Sequence, residues 1–138
     1  MRFAPLALVA IACQVDPGAL PDAAPCRPSP DYFVSDVYPR YLQDGRCASD
    51  RGCHQTNGTL RLAPPEAAPA PSTPLDQWPT NWRNNYESTV PLVRCDNPLQ
   101  SHLLTIPEGV GNLHPPGPVV TDRVAAADLI QSWVARSP

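Results

Sequence analysis

The chain contains no lysine; all ten of its basic residues are arginines. Against them stand 13 acidic residues, for a formal net charge of −3, and neither sign gathers into a long run. A basic face for nucleic acid is therefore excluded. Methionine is equally scarce: the single one is Met1. No apolar run is long enough to cross a bilayer. Also missing are a G-x-S-x-G elbow, a P-loop and a Rossmann glycine pattern. Asp44, Asp50 and Glu66 show no pairing suited to acid–base work, so the chain is not read as an enzyme. No internal repeat is visible.

Proline, by contrast, is abundant. Twenty prolines in 138 residues divide the chain into short elements and argue against long helices or a large regular sheet. The length supports one domain. The N-terminus, "MRFAPLALVAIAC", has one arginine, an apolar run from Phe3 to Ala12, and then Cys13. That run has the length of a secretory signal and is too short to span a membrane. "VAIAC" resembles the lipobox of bacterial lipoproteins. The resemblance implies loss of residues 1–12 and lipidation of Cys13, giving an exported chain anchored on the periplasmic or cell-surface side of a bacterial membrane. Export places the cysteines in an oxidising compartment.

Residues 13–30 have the composition of a tether, small and proline-rich. Cys26 within it suggests that the tether is pinned. The domain is expected over 31–138. Phe33, Val37, Tyr41 and Leu42 fall at helical spacing with Asp31 as N-cap, and Pro39 predicts a kinked or broken helix ending near Gly45. Leu60 and Leu62 read as an extended segment. The six prolines between Ala63 and Thr80 predict a stiff surface loop. A short helix is expected over 82–89, stopped by Pro91. Leu99, Leu103, Leu104 and Ile106 are expected in the core. The last helix is the clearest: Ala126, Leu129, Ile130, Trp133 and Val134 form one stripe, with Thr121 or Asp122 as cap. Trp78, Trp82 and Trp133 read as packing residues.

The chemistry concentrates in "RCASDRGCHQTNG", residues 46–58. Cys53 and His54 are adjacent, and Cys47 lies six positions before Cys53. Cys47, Cys53, His54 and His114 also contain a Cys₂His₂ zinc set, although neighbouring residues are awkward ligands for one ion. Without a cofactor, Cys26, Cys47, Cys53 and Cys95 allow three disulfide connectivities. Cys47–Cys53 with Cys26–Cys95 keeps the local pair local.

The pieces "VYPRYLQDGRC…GCH", "NNYESTVPLV", "NPLQSHLL", "LHPPGPV" and "DLIQSWVA" occur in an order similar to small bacterial c-type cytochrome domains. The likeness is to the divergent forms found in planctomycetes, bacteroidetes and myxobacteria, and it covers residues 31–136. It implies a mostly α, cytochrome c-like fold with long proline-rich loops. It further implies one covalently bound haem c whose iron exchanges electrons with a redox partner protein. Cysteine sulfurs bond the haem vinyl groups and the adjacent histidine ligates the iron. Carried over, Cys47 and Cys53 are the attachment points and His54 the proximal ligand. His114 stands in the place of the family's distal methionine, with His102 the other residue in range; Cys26 and Cys95 are left over as a pair. The family's cysteines are separated by two residues, and these by five. "ASDRG" must bulge outward for both sulfurs to reach one porphyrin edge, or Cys53 alone makes a single thioether. A second reading keeps the fold without haem, as a disulfide-stapled surface or scaffold lipoprotein.

Overall fold

The structure is a computed structural model that describes residues 26–43, 54, 60–108, 120 and 122–137. Helical turns occupy 59% of those residues and no strand occurs among them, which makes the fold mostly α. Helix α1 opens over Pro30–Tyr32 and continues without a break as a π-helix over Phe33–Gln43. Helix α2 spans Thr80–Thr89 and tightens into a 3₁₀ turn at Val90–Leu92. Two further 3₁₀ turns lie at Leu75–Gln77 and Pro98–Gln100. Helix α3 is a single turn, His102–Thr105, and α4 is Arg123–Val134.

Pro39 does not break the first helix. In an α-helix its ring would clash with the carbonyl four residues back and forfeit a hydrogen bond; the wider π turn moves that carbonyl away. The buried positions follow the wider turn. Phe33, then Val37 with Tyr38, then Tyr41 with Leu42 face inward, a repeat of four to five residues. The start differs from expectation too. Ser29 is the N-cap, its side chain accepting from the Tyr32 N–H at 3.3 Å, and Pro30 occupies the first turn, where a missing N–H costs nothing. Asp31 instead accepts the Ser72 N–H on both carboxylate oxygens at 3.0 Å. That contact holds Ser72 at a φ of 63°, a left-handed conformation uncommon outside glycine.

The core is largely aromatic. The Phe33 ring lies 5.4 Å from Tyr86, 5.6 Å from Trp133, 5.9 Å from Tyr38 and 6.5 Å from Trp82. Most of these pairs meet edge to face, the arrangement favoured by the ring quadrupoles. Helix α4 adds Ala126, Leu129, Ile130 and Trp133 and packs against the π-helix. Its cap is Asp122, whose carboxylate accepts the Ala125 N–H at 2.9 Å, a contact worth about 1 kcal/mol. Leu103 and Leu104 are buried, but Leu99 is 46% exposed. In the tight turn at Pro98–Gln100 positions three apart share a side; Ser101 is fully buried and Leu99 points the other way.

Residues 26–30, read as tether, pack into this core. Cys26 is joined to Cys95 by a disulfide, with Cα atoms 5.6 Å apart. Pro28 is fully buried. The Tyr86 hydroxyl donates to Pro28 O at 2.6 Å, and the Trp133 indole N–H donates to Ser29 O at 2.8 Å. Burial pushes the Tyr86 phenol above its ordinary range, with the nearby Arg27 charge opposing, so it stays protonated and able to donate. No helix among the described residues is long and apolar enough to cross a membrane.

Candidate functional site

A proline-rich segment is short of backbone N–H groups and therefore leaves carbonyls that need donors from elsewhere. Helix α2 and its approach supply them. The Trp78 indole donates to Thr73 O at 2.9 Å, Asn81 to Pro64 O at 2.8 Å, and the Trp82 indole to Glu66 O at 3.0 Å. Ser88 Oγ donates to Arg61 O at 2.7 Å. Asn85, fully buried, takes Ala63 by both groups: its Oδ1 accepts the Ala63 N–H at 2.8 Å and its Nδ2 donates to Ala63 O at 2.9 Å. Only one orientation of the amide satisfies a donor and an acceptor together, so the assignment is fixed by chemistry. No buried side-chain N or O among the described residues lacks a partner.

The segment held in this way is the extended run beginning at Leu60. Leu60 and Leu62 are buried while Arg61 between them is exposed, the alternation of an extended chain. This run meets His54 at two points. The Leu62 N–H donates to His54 O at 3.0 Å, and His54 Nδ1 lies 3.3 Å from Leu60 O. A carbonyl can only accept, so a hydrogen bond here requires the proton on Nδ1, and in the neutral ring that places the lone pair on Nε2. Ligand histidines in metalloproteins show the same pattern, one nitrogen donating to a carbonyl and the other facing the metal. His54 itself is half-buried.

Of the other residues singled out in the sequence, Cys13, Cys47, Cys53 and His114 lie outside the described residues. His102 is exposed at the first position of α3, which turns it away from the core. Among Cys26, Cys47, Cys53 and Cys95, the Cys26–Cys95 bond leaves Cys47–Cys53 as the remaining pairing for a stapled form. Among the described residues no group of three or more His, Cys, Asp or Glu is arranged to hold a metal ion. A cleft of about 570 Å³ lined by Arg27, Leu75, Asp76, Arg83, Asn84 and Glu87 balances two arginines against two carboxylates, and so offers no net field to a charged ligand.

Asn85 was not legible as a functional residue. Its signal is that it falls in one stripe with Trp82, Tyr86 and Thr89, although asparagine is a poor helix former and rarely buried. No protein family, curated protein or solved structure matches the chain.

Proposed function

We propose that the protein is an exported lipoprotein, anchored through Cys13, that transfers single electrons by way of one covalently attached haem c. The observation that carries this reading is the hydrogen bond from His54 Nδ1 to Leu60 O. It fixes the tautomer that leaves Nε2 as the donor nitrogen, in the residue that directly follows Cys53. The donor set fits haem: an imidazole lone pair for the iron and the Cys53 sulfur, with that of Cys47, for the vinyl groups. Haem held there supplies a one-electron iron couple, and a histidine as distal ligand gives a lower potential than methionine would. His114 is that ligand in this reading. The chain's own contribution is to hold the His54 ring in one orientation and to bury Leu60 and Leu62 beside it, limiting water at the site. The Cys26–Cys95 cross-link supports the reading in two ways. It fits an oxidising compartment, and it engages those two thiols with each other and so not with Cys47 or Cys53.

The test is a haem stain of a denaturing gel, on protein exported in a host equipped for c-type maturation. The wild type is expected to keep colour after denaturation. Cys53→Ala is expected to abolish it, and His54→Ala to reduce it severalfold through lost iron ligation. Colour that survives in Cys47→Ala identifies a single thioether. A colourless wild type leaves the haem-free, stapled lipoprotein.

A further inference from the structure

We propose that Asn85 is the positioning residue for His54, acting through the backbone of residues 60–63. The inference rests on the reading of His54 as an iron ligand for its significance, though not for its geometry. Three contacts carry it in series. Asn85 grips Ala63 N and O from α2 at 2.8 and 2.9 Å; Leu62 N reaches back to His54 O at 3.0 Å; Leu60 O meets His54 Nδ1 at 3.3 Å. The grip is anchored from within a regular helix by a side chain that is itself fully buried, while Ala63 at its other end is part-buried. Thr89 Oγ1 donates to Asn85 O at 2.6 Å, a bond to the helix backbone that does not involve the Asn85 side-chain amide. Ser88 adds a second hold one residue before Leu62, on Arg61 O. A ring hydrogen bond to a carbonyl depends on where that carbonyl is kept. Here a buried side-chain amide keeps it, by gripping Ala63 three residues further along the chain.

The same framework explains why a helix with so little apolar surface packs inward at all. Leucine at position 85 would suit the aromatic core, but it would leave the part-buried Ala63 N–H without this partner and its C=O with only the long contact from the Tyr38 hydroxyl at 3.5 Å. The run from Leu60 would then lose its buried hold on α2 and keep the more exposed one from Ser88 to Arg61 O. The contact from His54 Nδ1 to Leu60 O would weaken, and with it the preference for the tautomer that keeps the lone pair on Nε2.

The experiment is ¹⁵N NMR of the histidine rings in the haem-free, disulfide-intact full-length protein, at about pH 8, above the ordinary histidine range. His54 signals are assigned with His54→Gln. Wild type is expected to show His54 as the Nδ1–H tautomer. Asn85→Leu, and Asn85→Ser as the variant with the smaller polar penalty, are expected to lose that signature in favour of a tautomer mixture. Thr89→Val alters the same helix face without touching Ala63 and is expected to keep it. Near-UV circular dichroism of the tryptophans identifies the folded variants. If Asn85→Leu does not fold, Asn85→Ser decides. A folded Asn85 variant with the wild-type tautomer overturns the proposal, as does a tautomer change of equal size in Thr89→Val. In haem-loaded protein the folded Asn85 variants are expected to shift the reduction potential while Thr89→Val does not. Failure of haem to attach would count against the electron-transfer reading alone, since the tautomer test needs no haem; an unmoved tautomer would count against Asn85 alone.

Discussion

Trp133→Ala is expected to destabilise the domain by about 3–5 kcal/mol, a large part of the 5–15 kcal/mol that a small domain typically has. Trp133 is fully buried. Its ring lies 5.6 Å from Phe33 and 6.3 Å from Tyr86, so removing it opens a cavity at the meeting of the π-helix, α2 and α4. The indole also donates to Ser29 O, the residue that caps the first helix. Loss of the ring therefore costs packing and removes one of two N–H groups donating to the Ser29 carbonyl, which keeps that of Phe33 at 3.1 Å. Trp133→Phe separates the two, since it keeps an aromatic ring but not the N–H; a cost of about 1–3 kcal/mol is expected from the lost hydrogen bond and the smaller ring. Urea unfolding followed by circular dichroism at 222 nm, the usual helix band, reads both through the transition midpoint. Equal midpoints for wild type and Trp133→Ala would show that the aromatic cluster is not the core.

Removing the Cys26–Cys95 bond by the paired change to serine is expected to cost about 4 kcal/mol, the loop-entropy value for a cross-link of this span. Its sequence separation is 69 residues, so opening it restores much freedom to the unfolded chain. The native state suffers as well. Residues 26–29 are held to the domain by the disulfide, by Tyr86 on Pro28 O and by Trp133 on Ser29 O. These contacts share one short strap, so the disulfide and Trp133 changes are expected to be less than additive when combined. The measurement is the urea midpoint of wild type, each variant and the combination, with oxidised and reduced wild type alongside. A reduced wild type as stable as the oxidised protein would contradict the role given to the strap.

Much of this arrangement could be read from the sequence where side-chain chemistry repeats at a helical period. The α4 stripe from Ala126 to Trp133 shows in the order of residues because each inward position is apolar. Phe33, Val37, Tyr41 and Leu42 show for the same reason. Tyr38 stands on the same side, three residues before Tyr41 and four before Leu42, but the adjacent Pro39 predicts a break there, and the π turn that accommodates the proline leaves no mark in the residue types. Asn85 and Ser88 were hidden for a different reason: their role is to satisfy carbonyls of a proline-rich run far along the chain, and hydropathy carries no record of such a demand. Leu99 misled in the opposite sense, an apolar residue turned outward by a tight turn whose inward positions lie on either side of it. At the site, the Cys53–His54 adjacency was plain in the sequence. The ring orientation of His54 was not, since it is set by Leu60 O and, behind that, by the grip of α2 on Ala63.

The measurement that bears most directly on the central claim is the intact mass of the mature, exported protein, taken before and after reduction. Electron transfer through an attached haem predicts a chain beginning at a lipidated Cys13 and carrying the mass of one haem, with reductant opening the Cys26–Cys95 bond and no other. A chain without haem, in which reductant opens a second disulfide between Cys47 and Cys53, would contradict it.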